Sequence, residues 1–395
     1  MKVADFIQLL TREGQWALES AMAFDPREKD FLSDFGMLAK RFPREMARAA
    51  LTIAILRGEA GDKFPHAEKL FFTREALEQA TPWAVAEHRA ARFQGFGKIF
   101  DLGCSIGGDS LVLARSAPVI GIDLDPLRVV MARQNAKATR AEADFVQADL
   151  EHLPFHAFAS GGENTAIFFD PARRQDHRRV FSVEDYQPGL SIIERWLPQV
   201  PAVCVKVSPG VNLEELDRYD CEVEFISLNG DLKEAALWFG PLKTAARRAT
   251  LLVGGETVTM TAEAQADLPI SAPKAFLYEP DPSILRAGLV QALGSQLDAA
   301  QLDPQIAYLT ADTKRENPFV RAWPVEDWMP FQLKRLRAYL RERGIGRVTV
   351  KKRGSPILPE DLIQQLKLEG DEEKTLFLTQ LEGAPIVVVA GEEIR

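Results

Sequence analysis

Four aspartates in the first half of the chain, Asp101, Asp123, Asp149 and Asp170, each close a short apolar run, and their surroundings suit one kind of ligand. In Asp101-Leu-Gly-Cys-Ser-Ile-Gly-Gly-Asp109, glycines 103, 107 and 108 let backbone amides come close to a guest, with Asp101 and Ser105 beside them. The spacing Gly103-x-x-x-Gly107-Gly108 departs from the G-x-G-x-x-G of dinucleotide sites, and the acid ahead of the loop favours a ligand carrying positive charge over a pyrophosphate. Asp123, followed by Leu124, stands where an acid accepts hydrogen bonds from both hydroxyls of a ribose. Asp149 and Leu150 offer a carboxylate for an adenine amino group and an apolar side chain for its ring, although Asp149 suits an ordinary turn cap as well. At Asp170-Pro171 a carboxylate and a proline-stiffened backbone can accept the protons of an amine and aim its lone pair.

Such groups converge only if the elements behind them are parallel strands. Strands are expected at KIFDLG, APVIGID, DFVQAD, AIFFD and AVCVKV, with helices from Asp109, from Pro126 and near 187–196 between them. This alternation specifies an α/β, Rossmann-like open sheet, seven-stranded and mostly parallel, with the acids meeting at its carboxyl edge. The runs CEVEFISL and ATLLV are expected to close it as an antiparallel edge. Ahead of the sheet, residues 1–68 read as helices from the three- and four-residue spacing of apolar positions in ADFIQLLTREG and PREMARAALTIAILRG, and Thr73 reads as an N-cap. A polar stretch near 262–273 leads into a smaller α/β unit, in which helices are expected from Pro282 to Leu297 and from Met329 to Arg343. The expected division is a helical N-terminal domain (1–68), a sheet domain (69–262) and a C-terminal α/β domain (272–395).

Its 395 residues exceed what one core usually absorbs, in keeping with several domains. The net charge of −9 argues against the whole surface as a nucleic-acid binder, so any such role falls to a local patch. The candidate is the run 331–354, in which Lys334, Arg335, Arg337, Arg341, Arg343, Arg347, Lys351, Lys352 and Arg353 face Glu342 alone; a solvated helix face is the plainer reading. Cys104, Cys204 and Cys221 lack paired spacing, so neither disulfides nor a metal site is expected. No apolar run has the length of a membrane span, and a cytoplasmic protein is expected.

From about Phe71 to Gly210 the four strand ends resemble, in order, the motifs of class I S-adenosylmethionine-dependent methyltransferases. The segment entering the first strand through Phe71 and Thr73 resembles that of trimethylguanosine synthases, where it contacts the methionine part of the cofactor. This resemblance implies S-adenosyl-L-methionine held by Thr73, Asp101, Gly103, Ser105, Gly107, Gly108, Asp123, Leu124, Asp149 and Leu150, with Asp170 and Pro171 catalytic. The fourth motif departs from the N-P-P-Y of amine methylases, since Ala172 replaces the second proline and Arg173 the aromatic. It is closer to the D-P-P-R of RNA uridine C5-methyltransferases, but Val207 stands where those carry a nucleophilic cysteine, and Cys204 would face the other side of its strand. YEPDPSILRAGL and VTVKKRG resemble a THUMP-like domain, which implies RNA as partner; together with the amine reading of Asp170-Pro171 the expected acceptor is an amino-bearing base, and local charge makes Arg173, Arg174, Lys351, Lys352 and Arg353 the expected phosphate contacts. A protein or small-molecule acceptor, or a module that binds without catalysing, stands as the alternative.

Overall fold

The computed structural model describes residues 1–153, 164–172, 182–262 and 267–394, and the backbone of the two-residue strands 174–175 and 178–179. They form two compact units: Met1–Glu222 with Glu234–Thr244, and Val223–Lys233 with Ala245–Arg395. The expected boundaries near 68 and 262 are not where these units divide.

The first unit begins with helices α1 (Val3–Leu9), α2 (Arg12–Met22), α3 (Phe31–Leu38) and α4 (Arg44–Glu59). Thr11 caps α2 by accepting from the Gly14 N–H, and α4 starts directly after Pro43. Alanines 47, 49, 50 and 54 are buried along α4, small enough for neighbouring helices to approach closely. Two short helices, α5 (Arg74–Gln79) and α6 (Trp83–Ala90), lead into the sheet. Its strands are β1 (Lys98–Leu102), β2 (Val119–Asp123), β3 (Ala143–Gln147), β4 (Thr165–Phe169), β7 (Val203–Val207) and β9 (Asp231–Trp238). The order is β9-β7-β4-β1-β2-β3, parallel except for β9 against β7. Helices α7 (Gly108–Leu113) and α8 (Pro126–Thr139) connect the first three strands, whereas the helix expected near 187–196 is a 3-10 turn over Leu190–Arg195. Side chains from Phe6 through Phe72 join Ile106, Met131 and Phe145 in one apolar cluster, so the N-terminal helices complete the core that the sheet needs on this side.

The antiparallel strand is not one of the two runs expected to supply it. CEVEFISL and ATLLV are β8 (Glu222–Leu228) and β10 (Arg247–Val253), which pair with each other in parallel, and β11 (Glu256–Thr261) returns against β10. The antiparallel role falls to DLKEAALW, whose charged start and alanines read poorly as a strand. The turn before it, Asn229-Gly230, has both residues at positive φ, as a tight hairpin turn requires.

The second unit also holds a seven-stranded sheet, ordered β13 (Ala300–Asp303), β14 (Ile306–Ala311), β12 (Phe276–Pro280), β15 (Val320–Pro330), β18 (Ala384–Ala390), β17 (Glu372–Leu381) and β16 (Ile345–Lys352). Along β17 and β18, Leu376, Leu378, Val387 and Val389 join one apolar cluster while Phe377, Ile386 and Val388 join another, the period-two alternation of a sheet buried on both faces. The helix expected over 282–297 is broken at Gly288, at φ 73°, into α9 (Pro282–Ala287) and α10 (Val290–Leu297). The helix expected from Met329 starts instead at Leu333 as α11 (Leu333–Glu342), because residues 320–330 pair as β15 between β12 and β18. Helix α12 (Pro359–Leu366) follows β16. No helix among the described residues is long and apolar enough to cross a membrane.

One buried side chain ties the helical segment to the glycine loop. Asn135 of α8 accepts from the Phe71 N–H at 2.7 Å and donates to the carbonyls of Phe71, at 3.0 Å, and Ile106, at 2.9 Å. Asn135→Ala would strand these buried backbone groups, so the first unit is expected to lose about 2–4 kcal/mol in urea-induced unfolding; an unchanged midpoint would show that the clamp carries no load.

Candidate active site

The glycine loop is shaped by what lies against it. Gly103, at φ 83°, sits so close to the end of β4 that a Cβ would lie 2.4 Å from the Asp170 carbonyl oxygen, and a Cβ on Gly107 would meet the Phe145 ring at 3.1 Å. Backbone bonds join the strand ends at the same edge: Gly103 N and Cys104 N donate to Ile122 O, Asp170 N to Leu102 O, and Ala148 N to Asp123 O. The structure thus brings Gly103, Ser105, Gly107, Asp123, Leu124, Asp149, Leu150, Asp170 and Pro171 to one edge of one sheet, as the sequence implies.

Asp123 is held before any ligand arrives. Its Oδ2 accepts from Ser105 N at 2.8 Å and its Oδ1 from Asp125 N at 2.9 Å; burial raises its pKa, and those two N–H groups oppose the rise. Leu124 is 65% exposed and Leu150 is buried. Asp149 accepts from Glu151 N at 3.0 Å and lies 2.8 Å from His152 Nδ1, whose hydrogen bond lowers its pKa, so it does cap the following turn. Thr73 likewise caps α5, accepting from Ala76 N at 3.1 Å. Cys104 is buried, and its thiol pKa is driven well up by that burial, which makes it a packing residue.

Beneath the edge lies a charge cluster that motif reading does not reveal. Asp170 Oδ2 accepts from Lys206 Nζ at 2.7 Å, and the Lys206 side chain is only 4% exposed. Arg89 of α6, fully buried over the Phe168 ring, donates to Asp109 at 2.6 Å and places Nε 2.6 Å from Glu234. Ala236 of β9 pairs with Lys206, so Glu234, two residues away, shares its face. Burial opposes the positive charges of Lys206 and Arg89, yet Asp170, Asp109 and Glu234 outweigh it and both pKa values are raised. Asp101, the acid at the head of the loop, lies entirely within this cluster. Its Oδ2 accepts from Ser110 while Oδ1 has no hydrogen-bond partner among the described residues, and burial, then the Asp109 charge, push its pKa up to about 8.

A methyltransferase domain profile matches residues 99–166. Over 332 residues the chain is 36% identical to an uncharacterised S-adenosylmethionine-dependent methyltransferase of Mycobacterium tuberculosis strain H37Rv, spanning 82% of this chain and 89% of that protein. The chain belongs to the S-adenosylmethionine-dependent methyltransferases. The same likeness holds for the protein of strain CDC 1551. A crystal structure from Porphyromonas gingivalis W83, of a protein provisionally named a methyltransferase, shares the fold at a TM-score of 0.76 and 21% identity, covering 92% of this chain and 98% of that one. A profile described as THUMP domain-like matches residues 320–392, and a domain of unknown function matches 2–60. The cofactor of this methyltransferase is S-adenosylmethionine.

Of the expected substrate contacts, Arg173 and the Arg174 side chain lie outside the described residues. Lys351 and Arg353 project to one face of β16, where Lys351 meets Glu279 at 2.6 Å and lies over Trp323, and Arg353 lies over Tyr308; Lys352 points the other way and is exposed. In the basic helix, Arg337 and Arg341 donate to the carbonyls of Gln365 and Lys367, which cap the end of α12. Lys206, Arg89 and Glu234 escaped motif reading; the one available signal was a lysine inside the otherwise apolar strand VCVKV.

Removing Lys206 with methionine leaves the Asp170 carboxylate unpaired over a cluster rich in acids, and a stability loss of about 3–5 kcal/mol is expected in denaturant unfolding; a loss within 0.5 kcal/mol would mean that the pair is merely superficial. A carboxyl that keeps its proton when folded but loses it at ordinary acidity when unfolded stabilises the fold at low pH, and this stability declines as pH rises toward 8. Asp101→Asn, which mimics the protonated acid, should therefore flatten the pH dependence of unfolding between about pH 5 and 8, whereas a profile parallel to wild type would place the titration elsewhere.

Proposed function

We propose that this methyltransferase transfers a methyl group to an amino-bearing base in RNA, with Asp170 and Pro171 receiving the amine. The observation carrying this reading is the placement of Asp170: its carbonyl abuts Gly103 of the cofactor loop, and one carboxylate oxygen is pinned by Lys206 while the other has no partner among the described residues. An amine donating to Oδ1 and to the neighbouring backbone carbonyl has its lone pair turned toward the loop, and positioning of this kind is worth several kcal/mol. With one oxygen held by the Lys206 ammonium, Asp170 acts by orienting the nucleophile.

The residues suit the cofactor. Asp123 has both oxygens fixed by backbone N–H groups, and each oxygen retains a lone pair for a ribose hydroxyl. Asp149 and Leu150 stand next along the edge for the adenine, Ser105, Gly107 and Gly108 line the loop, and Thr73 keeps its hydroxyl proton to donate. S-adenosylmethionine supplies an electrophilic methyl on a sulfonium, a cation for which a cluster with more carboxylates than ammonium and guanidinium groups is favourable ground. RNA as acceptor is supported by the THUMP domain-like match over residues 320–392, and Arg173, Arg174, Lys351, Lys352 and Arg353 are the cations we assign to its phosphates, Lys352 being the exposed one of the last three.

The test is transfer of labelled methyl to bulk bacterial RNA. Asp170→Ala should lower the rate by about a hundredfold or more with cofactor affinity retained, while Asp123→Ala should weaken cofactor binding at least about tenfold by calorimetry. Wild-type enzyme that binds the cofactor but labels no RNA would refute the RNA acceptor and leave the methyltransferase assignment standing.

A further inference from the structure

The N-terminal helices carry a surface that the cofactor site does not use. Between α3 and the first turns of α4, Lys40, Arg41, Arg44 and Arg48 are all exposed, with Glu45 the single acid among them. Several exposed arginines of this unit find carboxylates, as Arg74 does with Glu28 and Glu59, Arg115 with Glu87, and Arg218 with Glu194. These do not: among the described residues no ion pair engages any of the four, and the three guanidinium groups lie over aromatic rings. Arg41 sits 5.1 Å from the Trp16 ring and 5.6 Å from Phe42, while Arg44 and Arg48, one turn apart on α4, sit 5.3 Å and 5.7 Å from Phe35. Trp16 rests edge-on against Phe42 and is 53% exposed. In a chain with net charge −9, a cluster of four cations with one acid among them concentrates positive potential at one place.

We propose that this arginine–aromatic surface, formed by Trp16, Phe35, Lys40, Arg41, Arg44 and Arg48, binds an RNA strand at a distance from the methylated base; the proposal rests on the RNA reading above. A guanidinium lying on a ring keeps its N–H donors for an outside acceptor, and phosphate takes them two at a time. The exposed indole offers a face for a base. The two together match both halves of a nucleotide, whereas an acidic protein segment would use the cations and have no need of the open ring.

Distance gives the surface its role. From Arg44 to Arg57 helix α4 advances about 20 Å, and at Arg57 it meets the segment that Asn135 ties to the glycine loop: Arg57 donates to Leu70 O at 2.8 Å and lies 4.8 Å from the Phe71 ring. That length corresponds to roughly six stacked nucleotides. Contacts so remote hold ground state and transition state alike, so they lower KM and leave kcat alone.

Fluorescence anisotropy with labelled bulk bacterial RNA, repeated across salt concentrations, tests this. The Arg41→Gln/Arg44→Gln/Arg48→Gln variant should bind roughly tenfold or more weakly and lose about two units from the slope of log affinity against log salt. Its melting temperature, cofactor affinity and kcat should match wild type. Trp16→Ala should weaken binding about fivefold or more through lost stacking while keeping the wild-type slope. Arg115→Gln/Lys137→Gln/Arg140→Gln, with the same charge change elsewhere on the unit, should leave the slope near that of wild type. Equal slopes for wild type and the first variant would overturn the proposal. If RNA binding depends on the arginines but RNA accepts no methyl group, the surface stands and the methylated-base reading falls.

Discussion

Burying Arg89 and Lys206 in one core with Asp101, Asp109, Asp170 and Glu234 is the constraint around which the first unit is built. Charges removed from water cost several kcal/mol each unless they meet opposite charge at hydrogen-bond distance. That requirement fixes the placement of elements far apart in sequence: α6 must set Arg89 over Phe168 of β4, β7 must aim Lys206 at the end of β4, and β9, antiparallel to β7, must deliver Glu234 to the same face. With carboxylates in excess, one of them holds a proton instead, and Asp101, the deepest, is that one. The cluster holds the backbone at Gly103 and Asp170 in place, and leaves an excess of negative potential under that edge of the sheet.

The helical N-terminus is part of this arrangement. Its apolar side chains continue the core of α8 and β3, and Asn135 joins Phe71 to Ile106 in the cofactor loop. A glycine-rich loop gains precision only when its surroundings permit a single conformation. Here Phe64 lies against Gly108 and Phe145 against Gly107, so rigid aromatic side chains on other elements supply the limits that the loop lacks. The binding surface proposed on α4 then sits on the same rigid body as the loop, which is what a remote contact needs if it is to register a long substrate.

Much of this was legible beforehand where local chemistry and period agree. The parallel strands ending in Leu102, Asp123, Gln147 and Phe169 follow from continuous apolar runs bounded by turn residues, and the acids at or near their ends fall on one edge because parallel strands leave no other choice. Strand β9 was hidden because Asp231, Lys233 and two alanines describe no strand by propensity; pairing with β7 overrides them. Strand β15 was hidden for a similar reason, with Pro324 and several charges interrupting a run that pairing on both sides makes continuous.

The sequence by itself determined the cofactor class and the sheet edge at which the glycine loop and the acids meet, since glycines, acids and their order in parallel strands are local properties whose meaning survives any packing. Only the tertiary structure decided which acid is charged and which is neutral, that Asp170 leans on Lys206, and which arginines are spent on carboxylates and which face solvent over aromatic rings. Those properties depend on burial and on partners scores of residues away, and neither can be read from spacing along the chain.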